Sequence, residues 1–156
     1  MKIRNDFVTN SSSSSFLVGF KDEESIEKEL RNETRLGTKF DKVLKDIQKK
    51  RISKAEALHY FREEVYWNVV MELQLKYKRE VINNHDFYEW EKDFENREKF
   101  YQEVNDLIDT RYEEFKQKLE DYGYIALVSY DDHSNPDLEL EIMPNLNCTI
   151  KHYSHH

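Results

Sequence analysis

Glycine and proline are scarce in this chain, three and two of 156 residues. That excludes collagen-like repeats and argues against a sandwich of many short strands, whose tight turns consume both residues. The single cysteine, Cys148, cannot close an intramolecular disulfide. No run approaches the roughly eighteen apolar residues that a membrane-spanning helix needs, and the first twenty residues lack the apolar stretch of a secretory signal. A cytoplasmic protein with no membrane partner is therefore expected. Three glycines make neither a glycine-rich phosphate loop nor a glycine-flanked nucleophile elbow.

Bulky apolar residues and charge are what the chain does have. Nine Phe, ten Tyr and two Trp accompany abundant Leu, Ile and Val, which is enough to fill a core. The formal net charge is −8, spread as +2 over residues 1–21, −6 over 22–122 and −4 over 123–156. Affinity for nucleic acid rests on neutralising phosphates with Lys and Arg, so an acidic body excludes nucleic acid as the main ligand.

Composition divides one expected domain, residues 1–156, into a Ser-rich segment (1–15), a strand (16–21), a helical body (22–122) and a β-rich tail (123–156). The body holds no proline and one glycine, Gly37. Ile26 and Leu30 mark a helix over about 23–35. Phe40, Val43, Leu44 and Ile47 mark a second over about 39–50. Ser53 and Glu56 form a capping box that opens a third, running to about 82. This third helix carries two apolar stripes, Leu58, Phe61, Val65, Val69 and Leu73 on one side and Tyr60, Trp67, Met71 and Gln74 on the other, so it is expected to pack on both sides. After Asn83-Asn84-His85, Asp86 and Glu89 offer a cap to one long helix ending near Tyr122. Its stripe runs Phe87, Trp90, Phe94, Tyr101, Val104, Ile108, Phe115, Leu119, with Arg97 and Arg111 standing in it. A short loop between two long helices makes them antiparallel, a hairpin about 40–50 Å long at about 1.5 Å per residue.

Strands are expected at Tyr124–Tyr130, Leu138–Ile142 and Thr149–Tyr153, with Asp131–Asp137 as a turn. Phe16–Phe20 is apolar throughout and so reads as a central strand of the same sheet, which returns the N-terminus to the tail. The fold class is α+β: a long antiparallel helical hairpin and two shorter helices packed on a small, mainly antiparallel sheet of three or four strands formed by the N- and C-terminal segments.

One motif is distinctive. Asn5-Asp6-Phe7-Val8-Thr9-Asn10 is followed by Ser11, Ser12, Ser13, Ser14 and Ser15, half of the ten serines, and then Phe16-Leu17. This start resembles a group of mostly small bacterial proteins that share an Asp-Phe-Val-Thr-Asn segment, a serine block and a Phe, a group with no established activity. The resemblance covers about 13 residues and implies bacterial origin and a role for the N-terminus. Serine side chains bond to nearby backbone and favour turns, which predicts an extended or turning entry to the strand. A recognition tag is the sharper reading, with Phe7 and Val8 as anchors and the five serine hydroxyls accessible to a partner or a modifying enzyme.

Other constellations are weaker. Glu56, His59 and Glu63 form half of a di-iron helical motif, and the chain holds no second copy. Asp131, Asp132 and His133, with His152 and the terminal His155 and His156, bring oxygen and nitrogen donors together if the tail strands pair, although their spacing matches no standard zinc pattern. Cys148 has no neighbouring histidine and reads as a small buried hydrophobe. Trp90, Phe94, Arg97 and Arg111 form an aromatic face with embedded guanidinium groups, suited to the edge of a partner. These features predict a non-enzymatic protein-binding or regulatory module that needs no cofactor, has no catalytic residues, and is a homodimer through that aromatic face. The alternatives are a small metal-assisted hydrolase built on Asp131, Asp132, His133 and His152, and an acidic mimic of nucleic acid.

Overall fold

The computed structural model describes residues 13–154. In chain order the elements are β1 (Ser13–Phe20), α1 (Ile26–Arg31), α2 (Phe40–Lys49), β2 (Arg51–Ile52), α3 (Lys54–Glu80), α4 (Phe87–Glu91), α5 (Phe94–Leu119), β3 (Tyr124–Asp131) and β4 (Thr149–Ser154), with short 3-10 and π turns between them. The architecture is α+β, as the sequence predicts. The chain divides into two compact units, residues 58–119 and the remainder on either side.

The flanking unit is built on a four-stranded antiparallel sheet of order β2-β3-β1-β4. β1 lies inside, paired on one side with β3 from Ser13–Asp131 to Phe20–Tyr124 and on the other with β4. Its residues from Ser14 to Phe20 are all buried, which is what an uninterrupted apolar run requires of a strand covered on both faces. On one face Phe16, Val18 and Phe20 of β1 and Tyr124, Ala126, Val128 and Tyr130 of β3 pack against Ile26 and Leu30 of α1 and Val43 and Ile47 of α2. The Tyr124 hydroxyl donates to the Ile47 carbonyl at 2.8 Å and the Tyr130 hydroxyl to Asp46 Oδ2 at 2.7 Å, tying α2 to β3.

Residues 138–142 differ from expectation. Leu138, Leu140 and Ile142 alternate with glutamates as a strand would, yet the segment is a π turn followed by a 3-10 turn at Met143–Asn145. Pro136 and Pro144 bound the segment, each favoured in the first turn of a helix and unable to donate to a strand ladder. Burial follows the helical spacing: Leu138 and Met143 are buried and Leu140 is exposed.

The contiguous unit is a helical hairpin. The Asn83 and Asn84 backbones adopt positive φ, +50° and +65°, a conformation Asn tolerates better than most residues, and they end α3. Asp86 then caps α4 by accepting from the Tyr88 amide at 2.9 Å. The predicted single helix after this loop is interrupted at Lys92-Asp93: Asp93 Oδ1 accepts from the Asn96 amide and restarts the helix as α5, while Asn96 Nδ2 holds the Trp90 carbonyl at 3.0 Å. Antiparallel packing of α3 on α5 shows in its pairs. Phe61 stacks on Phe115 with ring centroids 4.2 Å apart, and Tyr77 meets Phe100 edge-on at 5.2 Å. Phe61, Val65, Val69 and Leu73, four of the first stripe, are buried.

Candidate functional site

In the sheet unit the serine run enters the fold earlier than expected. Ser13, Ser14 and Ser15 are the first residues of β1, and Ser14 and Ser15 are buried. Ser14 Oγ donates to Glu139 Oε2 at 3.0 Å, and Ser15 Oγ shares a hydrogen with Ser129 Oγ at 2.7 Å. Glu139, placed by its sequence pattern on a wet strand face, is 1% exposed. An accessible serine stretch therefore does not extend to Ser14 and Ser15. Phe7, Val8, Ser11 and Ser12 lie outside the described residues, as do His155 and His156.

The tail donors are separated. Asp131 Oδ1 accepts from the His133 amide at 3.1 Å and from the Ser134 amide, so this carboxylate closes its own turn. His133 is exposed in that turn. His152 sits opposite Phe16, its ring stacked at 4.7 Å, whereas Asp131 sits opposite Ser13, three residues further along β1 on the other side. Asp132 and His133 follow Asp131 into the turn beyond the strand end. Among the described residues no three His, Cys, Asp or Glu side chains are placed to hold a metal ion. Glu56 completes the expected box with Ser53, amide to side chain in both directions at 3.0 Å, and the Ser53 amide, helped by the Ser53 hydroxyl, holds the Glu56 carboxyl below the ordinary range. His59 pairs with Glu63 on an exposed helix face. Cys148 is buried, and burial, reinforced by Glu33, pushes its thiol well above the ordinary range, so it holds its proton at neutral pH.

The helical unit rearranges the expected aromatic face. Trp90 is half-buried against Tyr77 and Phe87, with centroids 5.4 and 5.6 Å away, and Phe87 and Tyr77 in turn pack on the fully buried Phe100. Arg111 turns to Glu72 of α3 at 2.8 Å, an ion pair inside the hairpin. Arg97 lies over the exposed Phe94 ring, 5.7 Å from its centroid.

Besides Phe94, a row of exposed apolar side chains lies on α3. Trp67, Met71 and Leu75, at four-residue steps on α3, are 67, 61 and 64% exposed. Trp67 and Met71 belong to the second stripe that the sequence expected to be packed. Beside Met71 and Leu75 a groove of about 530 Å³ opens, closed on its other side by Phe87 and Tyr88 and rimmed by Lys78 and Asp86. Its volume is in the range of ligand clefts. One wall of the groove is anchored in the helical unit: Phe87 belongs to the aromatic cluster with Trp90 and Phe100, and Asp86 caps the helix that carries Tyr88. The signal for it was in the sequence: Leu75 extends Trp67 and Met71 by one more turn. An α+β protein with an open apolar groove on its helical unit is the class that these features define. Protein-family models, curated proteins and solved structures yield no match to the chain.

Proposed function

We propose that the chain is a non-enzymatic protein-binding module of the bacterial cytoplasm, and that the groove beside Met71 and Leu75 is its working surface. One observation carries this reading: three large apolar side chains in a row on α3 face solvent, and two of them, Met71 and Leu75, line a groove with the exposed Tyr88. Contiguous apolar surface of this kind on a charged protein marks a place where another surface sits. Aromatic and methionine side chains at its centre with Lys78 and Asp86 at its rim match the anatomy of a protein interface, apolar within and polar around. The N-terminal motif supports the bacterial assignment, and Phe7, Val8, Ser11 and Ser12 would supply a further recognition segment.

A photo-crosslinking amino acid in place of Tyr88 tests the proposal in the full chain expressed in bacterial cells. Irradiation is expected to give protein adducts that disappear when Leu75→Glu places a charge in the groove. Absence of any adduct, or adducts indifferent to Leu75→Glu, would overturn it.

A further inference from the structure

We propose that the sheet unit carries a binding surface of its own, the outer side of residues 28–54, and that it takes an acidic peptide segment bearing an apolar anchor residue. The inference is independent of the groove on α3. Charge is segregated in this chain. Residues 28–54 hold ten Lys and Arg against four Asp and Glu, a net of +6 in a chain whose net is −8, so everything else carries −14. All ten cations except the half-buried Lys39 are exposed. Arg31, Lys42 and Arg51 pair with Glu27, Asp46 and Glu23, and among the described residues the other seven have no carboxylate within ion-pair reach. Carboxylates further off are screened beyond about 8 Å at physiological salt, so the field over this layer is positive although the molecule is negative.

Local structure sets the cations in a row. α2 turns Val43 and Ile47 onto the sheet, so Lys42, Lys45 and Lys49, at i, i+3 and i+7, line its outer face, with Lys39 one turn before them. Lys50, Arg51 and Lys54 follow past the helix end. At the start of α2 a cleft of about 530 Å³ opens, with Leu30, Leu36 and Phe40 as its apolar lining, and Arg31 lies over the Phe40 ring, 4.8 Å from its centroid. The turn that walls the cleft passes through Gly37 at φ +50° and ψ −125°, a conformation that favours glycine. Two carboxylates also line it. Glu33 is engaged by the Cys148 amide, which donates to it at 3.2 Å, and Asp41 is exposed. An apolar slot followed by a row of lysines is complementary to an anchor side chain followed by carboxylates. Nucleic acid fits this surface less well. Bases stack on open ring faces inside a positive groove, whereas the one ring lining this cleft is covered by Arg31 and the lysines stand on a convex helix.

Fluorescence anisotropy of the full chain is the test, with a labelled peptide of one Trp followed by about ten Glu and Gly residues as the probe. Binding should be saturable and should weaken as salt rises. Lys45→Glu combined with Lys49→Glu should weaken it by at least about tenfold with an unchanged circular dichroism spectrum. Lys99→Glu combined with Lys116→Glu makes the same change of net charge on exposed hairpin residues and should leave the affinity within about twofold. Replacing the Trp of the peptide by Gly should cost several-fold on the unaltered chain, which reads the cleft without any substitution in the protein. No saturable binding up to about 200 μM chain, an equal loss from the hairpin pair, or indifference to the Trp would each overturn the proposal. A single-stranded oligonucleotide of matched length that binds more tightly than the peptide would also overturn it and would assign the surface to nucleic acid instead.

Discussion

A methyl group on Gly123 would collide with the Lys21 carbonyl oxygen, since the turn before β3 passes directly against the chain leaving β1 and the Gly123 amide donates to Phe20 and Lys21 carbonyls at 3.0 Å. Gly123→Ala should therefore destabilise the protein by more than about 1 kcal/mol, measurable by urea denaturation. Ser14 carries a different liability. It donates to a carboxylate that is almost wholly removed from water, and Ser14→Ala deletes that donor, so a loss of about 1–3 kcal/mol is expected in the same assay. Tyr77 adds a pH dependence. Burial, helped by Glu103, pushes its phenol from 10.0 up to about 12. The folded chain thus holds this proton more tightly than the unfolded chain, so the contribution is complete below about pH 10 and is lost as pH rises through about 12. Tyrosinate absorbance and circular dichroism followed together should show alkaline unfolding over that window, and Tyr77→Phe should make it shallower.

At the scale of elements, packing separates side chains that look alike in the sequence. Phe100→Ala should cost about 3–5 kcal/mol, because its ring is fully buried among Tyr77 and Phe87. Trp67→Ala should cost much less, about 0.5 kcal/mol, because its side chain is two-thirds exposed and meets Tyr66 of the same helix edge-on at 5.1 Å. Thermal and urea melts at low protein concentration check the contrast. Periodicity made α2, α3, β1, β3 and β4 legible, since each has either one clear apolar face or, as in β1, no polar one. It misread residues 138–142, where alternation favours a strand and only the two flanking prolines signal a turn of helix. It also ran α4 and α5 together, because Phe87, Trp90 and Phe94 keep helical spacing straight through the break that Asp93 and Asn96 make with their side chains. The groove was half legible. Trp67 and Met71 stand out as a stripe, but whether a neighbour covers a stripe is decided by residues far along the chain, and no local pattern contains that information. Arg111 shows the same limit: its place in an apolar seam suggested a partner molecule, and its partner is Glu72 across the hairpin.

For the molecule as a whole, the division into a contiguous helical unit and a discontinuous sheet unit sets where the chain is open to attack. The exposed residues Asn83 to His85 join the two arms of the hairpin, two of them at positive φ, and limited proteolysis is expected to nick there first. Cleavage elsewhere before this site would contradict it. The central strand also bears on how the protein is made. Phe20 of β1 pairs with Tyr124 and Ser13 with Asp131, so the first described strand waits for partners that leave the ribosome more than a hundred residues later. At typical elongation rates that interval is about 5–20 s. Throughout it Phe16-Leu17-Val18-Gly19-Phe20 is an apolar segment without its strand partners on a nascent chain, while the whole of the compact unit 58–119 has been made. Synthesis therefore completes the hairpin's sequence before the sheet's, and the strand that ends at the centre of the sheet is the one that waits longest for its neighbours.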